Sequence, residues 1–247
     1  MRRAGFTKKI GTIVMAWGVC LGLSGCDRMS RERPETVGLE LSGDRVPALL
    51  TRGREGAPGI VVLAESDLDS WAPMLSRWSV RGWHGIAVTC RDAAFRPEDA
   101  PRWSTLCEAA MNRLIRAGTD AENMALVGEG TLGAFALRMA AQLPTIQAAV
   151  MVSPVSAGPE WDPEKIIREI RDCPTLVVSS ENDMVSDTIA ERVKQAAPVF
   201  SEWRRYQGAE RGAALLLSRP VAVQEMEDWL ATILEAPKPT AGNPSAS

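Results

Sequence analysis

The sequence predicts an α/β protein: a three-layer α/β/α sandwich around a mostly parallel sheet of about eight strands, with an antiparallel hairpin at the front. Three observations predict it. From residue 36 to about residue 235, short apolar segments alternate with amphipathic ones, as when helices cover both faces of a parallel sheet. GIVVLAE, residues 59–65, is apolar almost without a break, the mark of a strand buried on both faces. The first two apolar segments follow one another with no helix between them, which makes them a hairpin. At 247 residues, 45% of them hydrophobic and 24% charged, the chain is long enough for one medium domain with a sizeable core.

The elements follow in order. TVGLELS and RVPALLT form the hairpin, and GIVVLAE is the first buried parallel strand. DLDSWAPMLSRWSV places Trp71, Leu75 and Trp78 on one helical face. GIAVTC (85–90) is a strand, and residues 101–117 form a helix with Trp103, Leu106, Ala110, Leu114 and Ile115 inward. MALVG (124–128) is a strand, LGAFALRMAAQL a helix that ends before Pro144, QAAVMVSP a strand and PEKIIREI a short helix. PTLVVSS (174–180) is a strand, SDTIAERVKQAA a helix capped by Ser186 or Asp187, and SEWRRYQ the last strand. A final helix over residues 220–235 carries Val223, Met226, Trp229, Leu230 and Ile233 on its apolar stripe.

The two ends lie outside this pattern. MRRAGFTKK followed by IGTIVMAWGVCLGLSG reads as a signal peptide over residues 1–25, too short for a stable membrane span. Leu23, Ser24, Gly25 and Cys26 resemble the lipobox of bacterial lipoproteins. That resemblance implies a diacylated Cys26 as the mature N-terminus, anchored in the cell envelope by its lipid. Asp27 next to it favours the inner membrane in some hosts. Residues 26–35 are then a tether, residues 36–235 the domain, and APKPTAGNPSAS (236–247) a disordered tail.

Several chemistries are excluded early. A net charge of −3 with interspersed signs gives no electrostatic footprint for nucleic acid. A single histidine, with no Cys/His spacing, argues against a metal site, and nothing implies a cofactor. Export permits a disulfide, and Cys90–Cys107 is conceivable, but Cys90, Cys107 and Cys173 leave an odd thiol.

The element order and five local motifs resemble the α/β-hydrolase superfamily over residues 36–235. IVVLAES stands where that family has a strand ending in His-Gly, and RGWHGIAVTCRD resembles the next strand. ALVGEGTLGA resembles the nucleophile elbow, usually G-x-S-x-G. CPTLVVSSENDMVSD resembles the segment of the catalytic acid, and YQGAERGAALLL that of the catalytic histidine.

The resemblance implies a degenerate triad. With Gly128 as the first motif glycine, Gly130 falls at the nucleophile; a frame shifted by one puts Thr131 there and Glu129 before the turn. Arg211 falls at the histidine position, and an always-protonated guanidinium cannot act as a base. Asp183 falls at the acid position, and an Asp183–Arg211 ion pair is expected. His84 stands at the N-terminal end of a parallel strand, away from the carboxyl ends where sites form. Glu65, near the oxyanion loop, would repel a developing oxyanion. The N–H groups after Thr131 remain able to bind an anion or polar ligand. Glu65, Glu129, Gly130, Thr131, Asp183 and Arg211 are therefore the candidate ligand-binding residues.

Three readings stay open. The first is a membrane-tethered pseudoenzyme that binds an unknown small molecule or an envelope protein partner. The second is an active envelope esterase or lipase-like hydrolase with a non-standard site, including acid–base work by Glu65, Glu129 and Asp183. The third is a structural scaffold. Of the eight tryptophans, Trp161, expected in a loop near the mouth, is the candidate for ligand contact.

Overall fold

The computed structural model describes residues 33–41, 43–89, 95–170, 172–197 and 201–236. The expected signal peptide (residues 1–25), Cys26, Cys90 and residues 237–247 of the expected tail lie outside the described residues.

Eight strands form one sheet in the order β1-β2-β4-β3-β5-β6-β7-β8. They are β1 (Glu35–Leu41), β2 (Asp44–Thr51), β3 (Gly59–Ala64), β4 (His84–Thr89), β5 (Met124–Glu129), β6 (Ile146–Val152), β7 (Thr175–Ser180) and β8 (Ser201–Tyr206). β1 and β2 pair antiparallel, β2 meets β4 antiparallel, and every other neighbour is parallel. The front hairpin and the parallel remainder match the predicted class.

Continuous apolar runs are explained by helices on both faces. Along β3, Val61 and Leu63 face one core while Ile60, Val62 and Ala64 face the other, so every residue is buried. The helices α1 (Leu68–Arg81), α6 (Gly212–Ser218) and α7 (Pro220–Leu234) cover one face. The opposite face is covered by α2 (Ala100–Arg116), α3 (Leu132–Gln142), α4 (Pro163–Glu169) and α5 (Met184–Ala196). Trp71, Leu75 and Trp78 of α1 are fully enclosed, as their spacing predicts. A 2.6 Å hydrogen bond from Arg77 of α1 to the buried Glu227 of α7 joins the two helices.

Some expectations need correction. Ile115 is 40% exposed, because the last turn of α2 rotates it off the inward stripe. The cap of α5 is Asp183, whose Oδ1 accepts from the Ser186 N–H, so neither Ser186 nor Asp187 is the cap. The segment GAALLLS, read only as part of the histidine motif, is the short helix α6. Trp161 is 8% exposed, stacked against Phe135, edge-on to Phe95 and covered by the Arg138 guanidinium. It is a core residue and not an open binding platform. Cys107 is a free, buried thiol, and Cys173 is free and half-buried.

His84 is structural. It is 1% exposed; Nδ1 accepts from the Gly53 N–H, and Nε2 lies 2.8 Å from the Arg54 carbonyl. Accepting at Nδ1 makes Nε2 the donor, so the ring pins the loop between β2 and β3.

Candidate functional site

The carboxyl ends of β3, β5, β6 and β7 converge with the segment leading into α6. β5 runs into a sharp turn at Gly130 and then into α3. Gly130 has φ +60°, and Thr131, at φ −68° and ψ −24°, is already helical. The left-handed turn position is therefore Gly130, and Thr131 lies beyond it. Gly128 lets strand and helix cross closely, since a Cβ there would overlap the Leu132 carbonyl. Gly130 holds its place by donating to the Val152 carbonyl at 3.0 Å and accepting from the Val155 N–H.

Beneath this turn Glu129 is 5% exposed and accepts five hydrogen bonds. Oε2 takes the Glu65 N–H (3.1 Å), the Ser66 N–H (3.0 Å), the Ser66 hydroxyl (2.7 Å) and the Trp71 indole N–H (3.1 Å). Oε1 takes the Ala213 N–H at 2.9 Å. One carboxylate thus ties the loop after β3, the first turn of α1 and the start of α6 to the elbow. A buried charge is tolerated only when hydrogen-bonded in this way. Glu129 is a buried clamp, so its carboxylate is not open to a ligand.

Glu65 sits above the turn. Its Oε1 accepts from the Thr131 backbone N–H (2.7 Å) and from the Thr131 hydroxyl. Its Oε2 fills the space that a Cβ on residue 130 would need. The N–H expected to be open for an anion is already taken by the chain's own carboxylate. Burial pushes the Glu65 pKa up, and the charge of Glu129 adds to that. The two Thr131 bonds, and more weakly Arg211, pull it down.

Asp183 and Arg211 meet across the other side. Arg211 Nε lies 2.8 Å from Asp183 Oδ2, with the Asp183 side chain 5% and the Arg211 side chain 51% exposed. The contact is an ion pair without the alignment of a directed hydrogen bond, since Oδ2 accepts none. The two loops are held together by the Ser180 hydroxyl donating to the Glu210 carbonyl (2.6 Å) and by the Asn182 N–H donating to the Gly208 carbonyl (2.9 Å).

Three participants carry no signal in the sequence. Ser66 and Trp71 serve Glu129. Ser153, buried and at φ +49°, accepts the Gly212 N–H at 2.9 Å and so links β6 to α6. No short motif marks them, because their partners lie some sixty residues away. Among the described residues, no cluster of three or more His, Cys, Asp or Glu side chains could hold a metal ion.

No family model matches the chain, and no curated protein matches it in sequence. Solved structures do match in shape. The chain is similar to a monoglyceride lipase from Saccharomyces cerevisiae (TM-score 0.65, 11% identity, 81% of this chain and 95% of that one). It is also similar to a thermostable esterase from Pseudomonas putida (TM-score 0.64, 14% identity, 84% and 85%). A third similar structure is a 2,6-dihydroxy-pseudo-oxynicotine hydrolase (TM-score 0.62, 17% identity, 81% and 68%). The protein has the α/β-hydrolase fold.

Proposed function

We propose that this chain is a lipid-anchored protein of the bacterial cell envelope that uses an α/β-hydrolase fold to bind rather than to hydrolyse. The carrying observation is the Arg211–Asp183 ion pair. Hydrolysis on this fold needs a base that accepts a proton from the nucleophile. Here a guanidinium, which offers no acceptor lone pair, lies beside the acid. Gly130, at the turn, has no side chain to attack with. The anchor is the lipid on Cys26, with the domain facing the periplasm, and the ligand is a small molecule or an envelope protein rather than nucleic acid. The scaffold reading shares these features and differs only in needing no ligand.

An ester assay with p-nitrophenyl acetate and butyrate tests the loss of activity. The full-length protein in detergent micelles is expected to give no turnover above buffer. Turnover that falls with Asp183→Ala would overturn the reading. Fractionation of cells expressing Cys26→Ala tests the anchor: the protein should leave the membrane fraction.

One observation favours the esterase reading. The Thr131 hydroxyl donates to Glu65, a hydroxyl–carboxylate contact at the elbow. Thr131 would be the nucleophile and Glu65 the base. The same Glu65 oxygen, however, occupies the Thr131 N–H that an oxyanion would need. Wild-type turnover lost in both Thr131→Ala and Glu65→Gln would select this reading.

A further inference from the structure

The helices α1 and α7 run side by side on one face of the sheet, joined by the Arg77–Glu227 pair. Between them lies an open groove of about 840 Å³, with Pro73, Arg77, Val80 and Arg81 of α1 and Glu227 of α7 in its wall. Arg33, from the segment leading into β1, lines it as well. Three arginines thus share the lining with a single carboxylate.

The three are not equivalent. Arg77 is spent, since its Nε and Nη2 donate to the buried Glu227 carboxylate at 2.9 and 2.6 Å. Arg33 makes no hydrogen bond or ion pair among the described residues. Arg81 lies over the Trp83 ring at 4.6 Å, with Asp228 and Glu235 each 3.6 Å away. Those two carboxylates lie outside the lining and offset part of the Arg81 charge, but at that distance they take no hydrogen bond from it. Arg81 therefore keeps its N–H groups for a further acceptor, and Arg33 is the uncompensated charge. Val80, beside them in the wall, is an apolar side chain 41% exposed. Cations with unused donors next to exposed apolar surface suit a lipid surface: phosphates meet the guanidinium groups, and the glycerol region meets the valine.

The position of Arg33 in the chain points the same way. It follows Cys26 by seven residues, which span at most about 25 Å when fully extended. A lipid on Cys26 therefore keeps a residue of this groove close to the bilayer. We infer that the groove between α1 and α7 is a membrane-docking face, where Arg33 and Arg81 take the phosphate headgroup of an anionic phospholipid. The inference rests on the lipid anchor of the proposed function and adds the face by which the anchored domain lies on the membrane.

The test is hydrogen exchange of the full-length protein on vesicles of phosphatidylcholine alone, and on vesicles of phosphatidylcholine and phosphatidylglycerol in equal parts. Flotation of the same samples reads the anchor, since an anchored protein floats with both. Exchange at residues 73–81 and 221–228 should be at least about fivefold slower on the anionic vesicles, the gain from one arginine at such a surface. Arg33→Gln with Arg81→Gln should remove that difference and still float. Arg33→Gln alone, which breaks no contact among the described residues, should remove part of it and serves if the double variant fails to fold. Flotation with both vesicles but equal exchange on the two would overturn the docking face and leave the anchor standing, as would protection that survives in the double variant. Flotation with the anionic vesicles only, lost in the double variant, would overturn the anchor and leave the docking face standing. Flotation with neither would overturn both.

Discussion

Replacing Glu129 by glutamine should loosen the whole carboxyl edge of the sheet. The change keeps the size of the side chain, so no cavity confuses the result. An amide has one acceptor oxygen, and here five donors converge on two oxygens. The better orientation leaves the amide oxygen facing the four donors from Glu65, Ser66 and Trp71. The amide nitrogen then points at the buried Ala213 N–H, donor against donor. Leaving that N–H unsatisfied costs about 1–3 kcal/mol. The other four bonds lose their charge assistance, roughly 1 kcal/mol each. Relief from burying a charge, on the order of several kcal/mol, offsets part of this. A net loss of about 2–4 kcal/mol follows. In a domain of this size it lowers Tm by roughly 5–12 °C. Urea denaturation measures the loss, and hydrogen exchange locates it: protection should fall at residues 65–71 and 212–214 and stay unchanged in β1 and β2. A loss below about 0.5 kcal/mol, or unchanged exchange at both segments, would refute the clamp, since the bonds would then contribute less than ordinary neutral ones.

Three further outcomes are expected. Gly130→Ser with Arg211→His should gain no p-nitrophenyl acetate hydrolysis over the wild type, because the serine Cβ needs the space of Glu65 Oε2 and the Thr131 N–H remains taken. Adding Glu65→Ala should give measurable p-nitrophenyl acetate hydrolysis; a double variant as active as the triple would sink this account. Burial holds the Glu65 pKa above 4.5 in the folded protein, so the folded state binds this proton more readily than the unfolded state. Stability should then fall as pH rises from 4.5 through the raised value, and urea midpoints of Glu65→Gln should lack that component. Burial also pushes the Cys107 thiol up to about 12 and Cys173 to about 11. At pH ~8 only roughly one Cys173 in a thousand is thiolate. Iodoacetamide should therefore label these two positions in guanidinium and not in the folded protein, as read by peptide mass spectrometry.

The sequence by itself determined the architecture and one decisive chemical fact. Alternation of apolar runs with amphipathic segments is a local property, and so is the glycine pattern around Gly128 and Gly130; both were legible before any contact was known. The identity of Arg211 was equally legible, and no tertiary arrangement gives a guanidinium a lone pair to accept a proton. Only the tertiary structure decided what the carboxylates do. Glu129 and Glu65 read alike in the sequence, two acidic residues at the ends of neighbouring strands. One is a buried clamp and the other sits on the Thr131 N–H because their partners come from segments 58 to 84 residues away. The burial of Trp161 against Phe95 and Phe135 was hidden for the same reason. Periodicity records which face of an element is apolar. It does not record which distant donor meets a given oxygen, and that is set by the closing of the sheet.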